Sequence, residues 1–93
     1  MPDYAPEDQQ LELAAKIRCC DKFFAGCHDG KYDVVINDWD YDFIANLKDW
    51  IDVKNRKVTL KQAKVINRIY ELSQALADRT TFDFSHTYYA TGA

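Results

Sequence analysis

The chain reads as mainly α: a compact three-helix domain with a short extended segment near residues 31–36 and an extended C-terminal tail. Three observations predict this. Apolar residues recur every three or four positions over three separate stretches, the period of one helical face. Each stretch opens on helix-start chemistry: Pro6-Glu7-Asp8, Asn37-Asp38 and Thr59-x-x-Gln62. The composition is that of a packed chain. Hydrophobic residues make up 47 % and charged residues 29 %, and three glycines and two prolines in 93 residues exclude a linker or low-complexity segment.

Helix 1 is expected over residues 6–25. Pro6 suits a first turn, where its missing N–H costs nothing, and Glu7 and Asp8 suit the positive end of the helix dipole. Leu13, Ile17, Cys20 and Phe24 form one seam, widened by Ala14 and Phe23. Gly26 offers a left-handed stop. His28-Asp29-Gly30 is turn chemistry. Tyr32, Val34 and Ile36 then alternate with Asp33, Val35 and Asn37, the pattern of a short strand.

Helix 2 is expected over 38–52, capped by Asn37 or Asp38. Its stripe is Trp39, Phe43, Leu47 and Trp50–Ile51. A polar connector carries Lys54, Asn55, Arg56 and Lys57. Helix 3 is expected over 59–78. Thr59 and Gln62 form a capping-box pattern, and Val58 is placed for a hydrophobic staple against Ala63. Its stripe is Ala63, Ile66, Ile69–Tyr70, Ser73 and Leu76–Ala77. The short connector predicts that helices 2 and 3 form an antiparallel hairpin. In the tail, 80–93, Phe82, Phe84, His86 and Tyr88 alternate with Asp83, Ser85, Thr87 and Tyr89. That segment is expected to pair with 32–36 as a minimal two-stranded unit or to lie across the hairpin. The expected core is Leu13, Ile17, Cys20, Phe24, Phe43, Leu47, Trp50, Ile66, Ile69, Tyr70 and Leu76.

A net charge of -3 excludes a polycation built to neutralise phosphate backbone. No apolar run reaches the roughly 18–20 residues of a membrane span. Residues 1–8 carry neither the basic nor the apolar region of a signal peptide, so the cytoplasm is the expected location. Three cysteines, an odd number, fit a reducing compartment. Cys20 is expected as a buried hydrophobe, with Cys19 nearer the edge of that face.

The string Asp38-Trp39, Phe43-Ile44, Leu47, Trp50, Leu60-Lys61-Gln62, Ile66 and Ile69-Tyr70 resembles a helical hairpin of small bacteriophage and mobile-element proteins. That hairpin reads Trp, Phe-Ile/Val, Leu, a basic connector, Leu-Thr-x-Lys-Gln and Ile-x-x-Ile-Tyr. Here the Leu-Thr order is replaced by Val58-Thr59-Leu60-Lys61-Gln62. The resemblance covers residues 38–70 and implies an accessory protein of phage type; a related pattern occurs in some anti-CRISPR proteins. It brings no catalytic residues.

Candidate chemistry is sparse. Cys19, Cys20, Cys27, His28 and His86 are possible metal ligands, but their spacings are not the Cys-x(2–4)-Cys pairs of structural zinc sites. Asp38-x-Asp40-x-Asp42 imitates the start of a calcium loop, yet Phe43 and Asp49 stand where the loop needs Gly and Glu. There is no phosphate-cradling loop and no nucleophile elbow. Cys27 with His28 or His86 is a nucleophile pair that nothing orients. No metal, no cofactor and no enzymatic activity are expected.

Charge segregation stands out. Residues 29–52 hold seven acids and two bases, whereas residues 53–68 hold six bases and no acid. One reading is complementarity, with helix 2 pairing to the start of helix 3 through surface ion pairs worth about 0–1 kcal/mol each. The other is an interaction surface. The leading expectation is protein–protein binding, most concretely inhibition of a bacterial host or defence complex such as a CRISPR-Cas effector. Its contacts would be the acidic residues Asp29, Asp33, Asp38, Asp40 and Asp42 and the tail aromatics Phe82, Phe84, Tyr88 and Tyr89. The alternative is a nucleic-acid-binding accessory using Lys54, Arg56, Lys57, Lys61 and Lys64. A structural or self-associating module is the third.

Overall fold

The computed structural model describes residues 3–84. Among them are three helices, α1 (Glu7–His28), α2 (Asp38–Asp52) and α3 (Leu60–Ala77), and no strand. The boundaries of α2 and α3 follow from local capping. The Asn37 side chain accepts from Trp39 N–H at 2.8 Å. Thr59 Oγ1 accepts from Gln62 N–H at 3.2 Å, and Gln62 Oε1 accepts from Thr59 N–H at 2.9 Å. Two orphan donors of the first turn are thereby satisfied. Val58 and Ala63, the staple pair, are both buried.

α1 runs past the expected stop at Gly26. The helix needs glycine there for a different reason: the Tyr32 ring lies over it, and a Cβ would sit 2.5 Å from Tyr32 Cε2. The stop is Gly30, at φ +80°. Its N–H donates to Cys27 O at 3.2 Å, and Lys31 N–H donates to Gly26 O at 2.9 Å. This is the bond pair of a Schellman ending with a left-handed residue just beyond the helix.

α1 is the helix against which both others pack most closely, and the expected α2–α3 hairpin is not confirmed as the organising contact. The close packing runs from α1 to α2 and from α1 to α3; α2 and α3 approach each other less. α1 carries two apolar seams, of which the first meets both α2 and α3. Leu13, Ile17, Cys20 and Phe24 make one. Ala15, Cys19 and Phe23, about 100° or more around the helix, make the other, and all seven are buried. Cys20 meets Ser73 of α3, and the Phe24 ring stacks on Tyr41 of α2 at 6.4 Å. A helix covered on two sides buries adjacent residues, so Cys19 is as fully enclosed as Cys20. Of the expected core, Phe43, Trp50, Tyr70 and Leu76 are only half-buried, while Ile44, Val58 and Phe84 join it.

The second seam is closed by aromatics. Phe23 lies 5.2 Å from Phe82, 5.5 Å from Phe84 and 5.7 Å from Tyr32, centroid to centroid. The Phe84 ring meets Tyr70 edge-on at 5.5 Å. Phe82 and Phe84 therefore do not pair with residues 32–36 as a strand. Tyr32, Val34 and Ile36 are half-buried and their neighbours exposed, so the expected alternation is real, but it forms no ladder. The one antiparallel bridge among the described residues joins Tyr4 and Thr59. The rest of the tail's strand-like pattern, with His86, lies outside the described residues.

Candidate functional site

The acidic segment is shaped by the turn that Gly30 makes and the cap that Asn37 supplies. Between them residues 31–37 cross the end of α1 and enter α2. Val34 and Ile36 face inward, while Val35 is 94 % exposed, so an apolar side chain stands in water at the crossing. A cleft of about 580 Å³ opens here between the end of α1 and the start of α2. Its apolar surface comes from Phe24, Val34, Val35 and Ile36. Tyr41 forms a wall, its ring 5.6 Å from that of His28. Asp38 and Asp42 stand on its border. They are four residues apart and so share one side of α2. Both are exposed, and neither has an ion-pair partner among the described residues.

The remaining acids are not gathered with them. Asp40, two residues on, is turned to the opposite side of α2. It is half-buried and lines a second groove, with Ile36, Leu72 and Leu76. That divergence is also why the Asp38-x-Asp40-x-Asp42 string makes no calcium-like cluster: alternate residues of a helix point roughly 200° apart. Asp29 is the exposed residue capping the end of α1, and Asp33 is exposed in the connector. Sequence reading missed Phe24, His28 and Tyr41 as parts of the site. The available signal was the i,i+4 pair Asp38/Asp42 beside an alternating apolar segment.

The basic segment is tied down rather than presented as an arm. Asn55 adopts φ +51°, a left-handed turn that asparagine tolerates. The chain then folds back, and Trp50 Nε1 donates to Lys57 O at 3.0 Å. The Arg56 guanidinium and Lys54 Nζ lie 5.1 Å and 6.0 Å from the Trp50 ring. Lys57 pairs with Glu7 at 2.9 Å, and that hydrogen bond raises the lysine pKa. Lys61 and Lys64 are exposed on α3.

The expected complementarity between α2 and the start of α3 is not what the ion pairs do. Arg18–Asp52 at 2.7 Å and Lys48–Asp21 at 3.8 Å tie α2 to α1, and Lys57–Glu7 ties the connector to α1. None of the ion pairs among the described residues joins an acid of 29–52 to a base of 53–68. Where the two helices do meet, the Arg68 guanidinium of α3 lies 6.0 Å from the Trp39 ring of α2.

Phe84 is only 6 % exposed, so it belongs to the aromatic cluster around Phe23 and not to a surface anchor, while Phe82 packs beside it half-buried. Tyr88 and Tyr89 lie outside the described residues. Cys19 and Cys20 are inside the fold, apart from Cys27 and His28 at the cleft. Among the described residues no three metal-ligating side chains converge. Burial pushes the Cys27 thiol pKa up, the reverse of what activates a thiolate nucleophile. Among the described residues no helix is long and apolar enough to cross a membrane. Comparison with known proteins gives no match: no family model, no curated protein and no solved structure is similar to this chain.

Proposed function

We propose that this protein acts by binding another protein through the acidic, apolar-floored face at the start of α2, without catalysing a reaction. The observation that carries the reading is the pairing of Asp38 and Asp42, exposed and unmatched in charge, with a ligand-sized cleft and the bare Val35 side chain. Unmatched charge beside an apolar-lined cleft steers a complementary partner to it. The resemblance of residues 38–70 to phage and mobile-element hairpins points to the target class: a bacterial host or defence complex, such as a CRISPR-Cas effector, which the bound protein blocks.

The test is phage plating on a bacterial strain carrying a defined CRISPR-Cas system, with and without this protein. Expression is expected to restore plating, and the double charge reversal Asp38→Lys/Asp42→Lys to abolish the effect while helicity is retained. Unchanged plating across several effector types would remove the defence-inhibitor reading. The nucleic-acid alternative makes a separate prediction: binding to random duplex DNA that falls steeply with salt and is lost in Lys57→Glu/Lys61→Glu. It is the weaker reading because Lys54, Arg56 and Lys57 are already engaged with Trp50 and Glu7.

A further inference from the structure

We infer that the cleft between the end of α1 and the start of α2 takes a short protein segment in which an arginine or lysine stands next to an apolar residue. The inference rests on the protein-binding reading above and names what the partner must present. Size comes first. A volume of about 580 Å³ lies within the roughly 300–1,000 Å³ typical of ligand-sized clefts. That is room for a few residues, not for a single ion.

The surface chemistry comes next. The floor is hydrocarbon and ring: Phe24, Val34 and Ile36, with Tyr41 as a wall. Such a floor favours an apolar side chain or the aliphatic stem of a long basic one. The border carries two carboxylates on one side of α2, Asp38 and Asp42, which no base of this chain neutralises among the described residues. Their spacing along the helix suits the forked donors of a guanidinium or the three donors of an ammonium. An acidic segment would meet like charge at this border and leave its own carboxylates unpaired. Lastly, Val35 is almost wholly exposed beside the cleft, so an apolar neighbour of the inserted base would cover it. A purely basic segment leaves Val35 in water, and a purely apolar one leaves the carboxylates unmatched. Only the mixed segment satisfies both features.

The test uses the full chain and fluorescein-labelled seven-residue peptides, with binding read by anisotropy. One peptide alternates leucine and arginine, the second leucine and glutamate, and the third serine and arginine. The leucine–arginine peptide is expected to bind at least about tenfold more tightly than either of the others, because it alone offers both the charge and the apolar contact. Asp38→Asn/Asp42→Asn is expected to remove most of that preference, and Val35→Ser part of it. Asp49→Asn, an exposed acid at the far end of α2, is expected to leave it unchanged. Circular dichroism of each variant confirms that the helices persist.

Equal binding of the first two peptides, or an equal loss in Asp49→Asn and in Asp38→Asn/Asp42→Asn, overturns the inference, because either shows attraction without a built site. If the peptides fail while the wild-type protein still restores phage plating, the docking inference falls and the protein-binding reading stands. If the leucine–arginine peptide binds selectively and plating is unaffected, the cleft assignment stands and the defence-inhibitor reading falls.

Discussion

The Gln10 carboxamide and the Val58 peptide group hold each other by two hydrogen bonds: Val58 N–H donates to Gln10 Oε1 at 2.9 Å, and Gln10 Nε2 donates to Val58 O at 3.0 Å. Nε2 also donates to Ala5 O at 2.9 Å. One side chain of α1 therefore joins two backbone segments, 3–5 and 58–60. These segments also pair with each other through Ala5 N–H to Val58 O at 3.0 Å and Leu60 N–H to Asp3 O at 2.8 Å. Gln10→Ala leaves the Val58 N–H without its acceptor at a fully buried residue. It is expected to cost about 1–3 kcal/mol, read as a shift of the urea midpoint. Gln10→Glu is expected to cost more than Gln10→Ala, because it sets a negative carboxylate oxygen against the Val58 and Ala5 carbonyl oxygens in a part-buried place. Equal stability of wild type and Gln10→Glu would show that the clip contributes nothing.

Gly26 and Tyr32 supply a second test. In a helix interior alanine is favoured over glycine by about 0.8–1.0 kcal/mol. Here the added methyl would meet the Tyr32 ring, which is itself packed against Phe23 and Phe82. Gly26→Ala is expected to destabilise the protein by about 1–3 kcal/mol through overpacking, a fall of the melting temperature. The double variant Gly26→Ala/Tyr32→Leu, compared with Tyr32→Leu alone, is expected to show a much smaller penalty for the same methyl.

Phe84 distinguishes core from contact surface. If it closes the aromatic cluster, Phe84→Ala costs about 3–5 kcal/mol and lowers the melting temperature before any partner is added. Were it a surface anchor, the substitution would leave stability within about 0.5 kcal/mol of wild type. The burial of Phe84 beside Phe23 and Tyr70 predicts the first outcome.

The cysteines give a prediction in pH. Burial, partly offset by a hydrogen bond to Ser73, pushes the Cys20 pKa up from 9.0 to about 12. The folded protein therefore keeps this thiol protonated where the unfolded chain ionises it. Its contribution is fully present below about pH 9 and is lost as pH rises from there towards 12, at no more than about 1.4 kcal/mol per pH unit. Urea unfolding at pH 8 and pH 10.5 is expected to show a larger fall for the wild type than for Cys20→Ala. At neutral pH a thiol reagent is expected to modify Cys27 in the native protein, whereas the buried Cys19 and Cys20 wait for unfolding.

The residues that set local structure were readable in the chain. Asn37, Thr59 and Gln62 act through bonds that span two or three residues, so the boundaries of α2 and α3 needed nothing from the rest of the molecule. The apolar seam Leu13–Ile17–Cys20–Phe24 was equally plain, because helical period depends only on spacing. The site was half legible: the acids of α2 were evident, but the cleft that joins Asp38 and Asp42 to Phe24 and Tyr41 exists only once α1 and α2 are packed together.

Tertiary packing decided the rest. Periodicity says which face of a helix is apolar and not which neighbour covers it. α1, with two apolar seams, therefore became the helix against which both others pack most closely. The same competition moved Phe84 inside, with Phe82 half-buried beside it. A short chain has little apolar surface to spare, and the open flank beside Phe23 gave those rings more burial than any strand pairing among the described residues.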